Sequence, residues 1–78
     1  MSLDESVFYR HYRLSFDGHL EGIPCVDPDH GILHPFFDFD TEKVYYECLS
    51  CTYRVHPGLD MYDRLRAEVE NTEANLGR

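Results

Sequence analysis

The chain is poor in what would place it in several common classes. Of its 78 residues only seven are Lys or Arg, against 15 Asp or Glu, for a formal net charge of −8. That balance opposes non-specific attraction to nucleic acid or an anionic membrane and favours solubility. No apolar run approaches the length a bilayer-crossing helix needs, so no membrane role is expected. No basic stretch followed by an apolar one opens the sequence, so no signal peptide is expected. Trp is absent. Cysteine is scarce and odd in number, at three. Three thiols cannot all pair within one chain, and small secreted scaffolds normally carry an even set. The pattern predicts a reducing, cytoplasmic compartment, where metal binding is the simpler use of thiols.

What is present is an ordinary globular composition, 42% apolar and 14% aromatic, with six Tyr and five Phe. The length predicts one domain over residues 1–78. A core of this size is marginal alone, and natural folds as small as this often add disulfides or a metal.

The chain is organised around Val44-Tyr45-Tyr46-Glu47-Cys48-Leu49-Ser50-Cys51-Thr52-Tyr53-Arg54-Val55. A Cys-x-x-Cys pair stands between two β-rich runs, which predicts strand, knuckle, strand. Two thiolates so spaced can grip one tetrahedral ion. A redox pair of the thioredoxin kind would instead sit at a helix N-terminus in a βαβ unit.

The other half-site is sought in Ile23-Pro24-Cys25-Val26-Asp27-Pro28-Asp29-His30-Gly31, whose Pro, Asp and Gly content predicts a turn. Residues 31–47 separate His30 from Cys48, and those 17 residues fall in the spacer range of two-knuckle zinc sites. Cys25, His30, Cys48 and Cys51 therefore form a candidate Cys₃His set for Zn²⁺. His34, in an apolar run, is the rival fourth ligand. His56 follows Cys51 too closely to share its knuckle comfortably. His11 and His19 are expected at the surface. Asp27 and Asp29 are read as turn formers, although either carboxylate can ligate zinc.

Elsewhere the pattern is mixed. Ser2-Leu3-Asp4-Glu5 fits a capping box, predicting a short helix through Val7, Phe8 and His11. Alternation then predicts a strand across Tyr12–Phe16. Asp17-Gly18 would turn it into a return strand over His19–Ile23. Ile32–Phe39, broken by Pro35, reads as an edge strand paired with Val44–Glu47. From Leu59 a helix is predicted, capped by Asp60, with Met61, Tyr62, Leu65 and Val69 as its apolar stripe on the sheet. It is expected to fray near Asn71, leaving Glu73–Arg78 as a loose tail. The fold class is α+β: small antiparallel β hairpins with one C-terminal helix over about residues 59–71.

Tyr46-Glu47-Cys48-Leu49-Ser50-Cys51-Thr52-Tyr53-Arg54 resembles the second knuckle of a zinc ribbon, and Gly31 matches the usual glycine after a ligand. The resemblance spans about residues 23–56. It departs from ribbons at Thr52, where they usually carry Gly, and at a first knuckle of Cys25-x₄-His30. The chain also resembles small uncharacterised zinc-ribbon proteins of tailed bacteriophages. The resemblance implies a fold and a metal, since ribbons serve in transcription machinery, ribosomes, enzymes and viral particles.

The functional expectation is a non-enzymatic protein-interaction module, a structural or accessory component of a larger assembly such as a virion or multisubunit complex. A closed four-ligand site has no open position for substrate. The alternative is a nucleic-acid-binding or transcription-associated ribbon. Tyr45, Tyr46, Tyr53, Phe36, Phe37 and Phe39 could then stack bases. Few cations accompany those rings, and such residues ordinarily form hairpin faces.

Overall fold

The computed structural model describes residues 4–77. Its architecture is α+β, a three-stranded antiparallel sheet with two helices. Helix α1 spans Ser6–Phe16 and a 3₁₀ turn covers Pro28–His30. Strands β1 (His34–Asp38), β2 (Lys43–Glu47) and β3 (Arg54–Val55) follow, then helix α2 (Leu59–Leu76). The sheet order is β1-β2-β3.

The β1–β2 hairpin is the one the sequence predicts, pairing Phe36 with Tyr45 and Phe37 with Val44. Alternation along β2 sends Val44 and Tyr46 into the core and leaves Tyr45 and Glu47 half-buried. Between β2 and β3 lies the Cys-x-x-Cys segment, closed by the Cys48 N–H donating to the Tyr53 carbonyl at 3.0 Å.

The N-terminal expectation needs correction. Tyr12–Phe16 is helix, the last stretch of α1, and no return strand forms over His19–Ile23. The alternation of Tyr12, Leu14 and Phe16 misleads because Tyr12 and Phe16 are also helical neighbours four apart, their rings 6.2 Å from centre to centre. Gly18 does take a positive φ of 84°, but it ends a helix instead of turning a hairpin. The Gly18 N–H donates to Ser15 O and the His19 N–H to Leu14 O, the paired bonds of a Schellman cap. At the other end, Ser2 of the predicted capping box lies outside the described residues. Glu5 stands at the N-cap without a side-chain cap bond, and Asp4 just before it accepts from the Ser6 N–H at 3.1 Å and the Ser6 hydroxyl at 2.6 Å. Those bonds hold the Asp4 carboxyl below its usual range, the hydroxyl contributing most.

Helix α2 also differs from expectation. Its N-cap is Gly58, with Asp60 in the first turn. Its stripe is as predicted, with Tyr62, Leu65 and Val69 buried, but it lies chiefly against α1 and not against the sheet. The helix runs past Asn71 to Leu76, so residues 73–76 are no loose tail. Thr72 is half-buried and Glu73 reaches Arg10 of α1 at 3.9 Å, so α1 gives this last stretch a partner.

Phe8 ties the layers together. Its ring meets Tyr46 of the sheet edge-on at 6.0 Å and Tyr62 of α2 at 5.7 Å. The Tyr46 hydroxyl donates to the Phe8 carbonyl at 3.3 Å, and burial raises its pKa, keeping it a donor. Around these rings lie Val7, Leu33, Val44 and Leu65, together with Cys25 and Cys48. Two of the three thiols are therefore part of the core.

Candidate metal centre

The first half-site is a loop clasped at its base. Pro24 bridges Ile32, the Leu33 N–H donates to Ile23 O at 2.7 Å, and the Cys25 N–H donates to Gly31 O at 3.2 Å. Asp27 stands at the N-cap of the 3₁₀ turn, and its carboxylate accepts the Asp29 N–H at 3.0 Å. Pro28 fixes the next φ, which suits a first helical position. Gly31, at φ 82° and ψ −148°, then turns the chain into the sheet through a region open essentially to glycine alone.

The second half-site is the segment between β2 and β3. The Ser50 N–H points at Cys48 Sγ (3.3 Å) and the Tyr53 N–H at Cys51 Sγ (3.5 Å). Such backbone donors favour sulfur in its anionic form. Burial pushes the Cys48 thiol up, but the Ser50 N–H and the neighbouring thiols outweigh it and bring the pKa to about 7. At Cys51 the Tyr53 N–H acts downward, yet burial and the other two thiols leave its pKa raised. Cys48 thus gives up its proton more readily than an ordinary thiol and Cys51 less readily, as neighbouring thiols that share hydrogen bonds do.

The two halves meet. One donor atom each from Cys25, His30, Cys48 and Cys51 falls in a cluster no more than 4.8 Å across. Cys25 Sγ is 3.6 Å from Cys51 Sγ and 3.6 Å from His30 Nδ1. Sulfurs bound at about 2.3 Å to one tetrahedral ion stand about 3.8 Å apart, so these separations suit a shared zinc-sized cation. No disulfide joins them: bonded sulfurs lie about 2 Å apart, and all three cysteines are free. Three thiols and an imidazole are also the donor chemistry zinc takes in closed structural sites.

The four residues predicted as ligands are the four brought together. His34 is not among them; its ring lies against Tyr12, 5.0 Å between centres. His56 is exposed and faces Tyr45 at 6.0 Å, and His19 is exposed. His11 corrects the surface expectation. It is 1% exposed between the helices, with Nε2 3.4 Å from a Glu68 carboxylate oxygen. Its place at i+4 from Val7 on the inner face of α1 was the available signal. Asp27, read from the sequence as a turn former that could also ligate zinc, is not in the cluster; its second carboxylate oxygen lies 3.5 Å from His30 Nε2.

The fold and cluster define a small α+β domain with a four-residue Cys/His site capable of holding a metal ion. No protein-family model, curated protein or solved structure matches the chain. Among the described residues no helix is long and apolar enough to cross a membrane.

Proposed function

We propose that Cys25, His30, Cys48 and Cys51 hold a structural Zn²⁺, making this a zinc-ribbon-like module that acts by binding another protein within a larger assembly. The observation that carries the metal is the convergence of four soft and imidazole donors within 4.8 Å of one another. Four protein ligands close the coordination sphere, so the ion serves the fold and not a reaction. Its energetic role follows from position. Cys25 and Cys48 are core residues, so a cation between the half-sites staples the loop of residues 25–31 to the sheet.

A protein partner fits the rest of the surface. The net charge of −8 disfavours polyanions. Leu59 is 67% exposed and lines a cleft of about 630 Å³ beside Tyr45 and His56, next to the hairpin tip where Phe39 is 84% exposed. Zinc analysis of purified protein tests the metal, and size measurement with retrieval of a defined partner from the native source tests the module. A monomer that binds no metal would overturn the proposal.

One observation favours nucleic acid instead. Phe36, Tyr45 and His56 stand side by side across the sheet, with the Arg54 guanidinium 4.6 Å from the centre of the Tyr45 ring. Such a row can stack bases. Arg54, however, is already engaged by Glu47. A salt-sensitive mobility shift with single-stranded DNA or RNA would favour that reading, and no shift at low salt would remove it.

A further inference from the structure

We infer that Asp27 is the positioning residue of the metal site, one carboxylate oxygen fixing the loop and the other fixing the histidine ring. The inference rests on the zinc reading above. Asp27 Oδ1 accepts the Asp29 N–H at 3.0 Å and so holds the Pro28–His30 turn. Asp27 Oδ2 faces His30 Nε2 at 3.5 Å. His30 Nδ1 is the ring nitrogen directed at Cys25 Sγ, 3.6 Å away.

An imidazole that ligates through Nδ1 must keep its proton on Nε2, and a carboxylate beside Nε2 stabilises that tautomer and the ring orientation. In this loop the carboxylate belongs to the same residue that builds the turn. Cys25-x₄-His30 is longer than a Cys-x-x-Cys knuckle, and its extra length needs an internal tie. Asp27 supplies the tie on both sides: backbone to Oδ1, ring to Oδ2.

The double contact makes the inference testable, because an amide cannot reproduce it. The side chain introduced by Asp27→Asn has a single oxygen. If that oxygen keeps the turn, the NH₂ group faces a ring N–H; if it serves the ring, the turn loses its acceptor. A serine at this position can cap the turn but is too short to reach the ring. Asp27→Asn and Asp27→Ser therefore separate the ring contact from the presence of a cap. Asp29→Asn removes a nearby charge without touching either contact.

The experiment is zinc competition against a chromophoric chelator at fixed pH, on parent, Asp27→Asn, Asp27→Ser and Asp29→Asn proteins. Circular dichroism at saturating zinc accompanies it, with imidazole ¹⁵N spectra of the loaded parent. The expected loss in both Asp27 variants is about tenfold in affinity, the lower end for such supporting groups because the Asp27 side chain is 48% exposed. Asp29→Asn should match the parent, the saturated spectra should coincide, and Nε2 of His30 should carry the proton. Parental affinity in both Asp27 variants, or metal on Nε2, would overturn the assignment of Asp27 while leaving the zinc site standing. A parent that takes up no zinc would overturn both.

Discussion

Cys25 Sγ and Cys51 Sγ lie 3.6 Å apart, although 26 positions separate them and no covalent bond joins them. One cysteine hangs from a clasped loop and the other from the segment joining β2 to β3. Nothing in local backbone preference brings the two together. The proposed shared cation would account for the approach, since it converts mutual repulsion of thiolates into coordination.

The metal should therefore decide whether the chain folds. Cys48→Ser or Cys51→Ser should leave a largely unfolded protein, because structural zinc contributes on the order of 10 kcal/mol in small domains. Far-UV circular dichroism checks this; a parent-like spectrum in either variant would contradict it.

His30 and His34 should behave differently on substitution. His30→Ala should abolish tight zinc binding. His34→Ala should keep one zinc per chain and lose only the ring contact with Tyr12. Metal analysis of the two variants reads the difference directly, and reversed results would move the fourth ligand to His34.

Zinc binding should weaken as pH falls. The Cys48 thiol is lowered from 9.0 to about 7 by the fold, so its thiolate contribution is complete above pH 9 and disappears as pH drops through about 7. Each ligand must shed its proton to bind the ion, so protons and zinc compete. Chelator competition on either side of that pKa, from mildly alkaline to mildly acidic buffer, should show steeply falling affinity. A flat profile would be inconsistent with thiolate ligation.

Core substitutions around Phe8 should be costly even with metal bound. Phe8→Ala removes the ring shared by the sheet and α2 and should cost about 3–5 kcal/mol. Tyr46→Phe removes only the bond to the Phe8 carbonyl, about 1 kcal/mol. Denaturant unfolding at saturating zinc measures both, and equal losses would contradict the assigned roles.

The candidate site was more legible in the sequence than the N-terminal fold. Cys48 and Cys51 carry their chemistry in their spacing, and Cys25 and His30 lie in a turn rich in Pro, Asp and Gly at a workable distance. The hairpin was legible because Ile32–Phe39 and Val44–Glu47 are both rich in β-branched and aromatic residues and lie a short turn apart. The first helix was not, because Tyr12, Leu14 and Phe16 satisfy a strand pattern while Val7, Phe8 and His11 satisfy a helical one. Gly18 advertised a positive φ without saying whether a hairpin or a helix end would use it. The continuation of α2 beyond Asn71 depends on α1 lying alongside, with Arg10 near Glu73, and such tertiary support leaves no local mark.

The central claim is tested most directly by counting metal in protein purified without chelator and melting it before and after EDTA. One zinc per chain and loss of the folded baseline on chelation is the predicted result. A metal-free protein whose melt is unchanged by EDTA would contradict the account, leaving three free thiols and no staple between the two halves of the site.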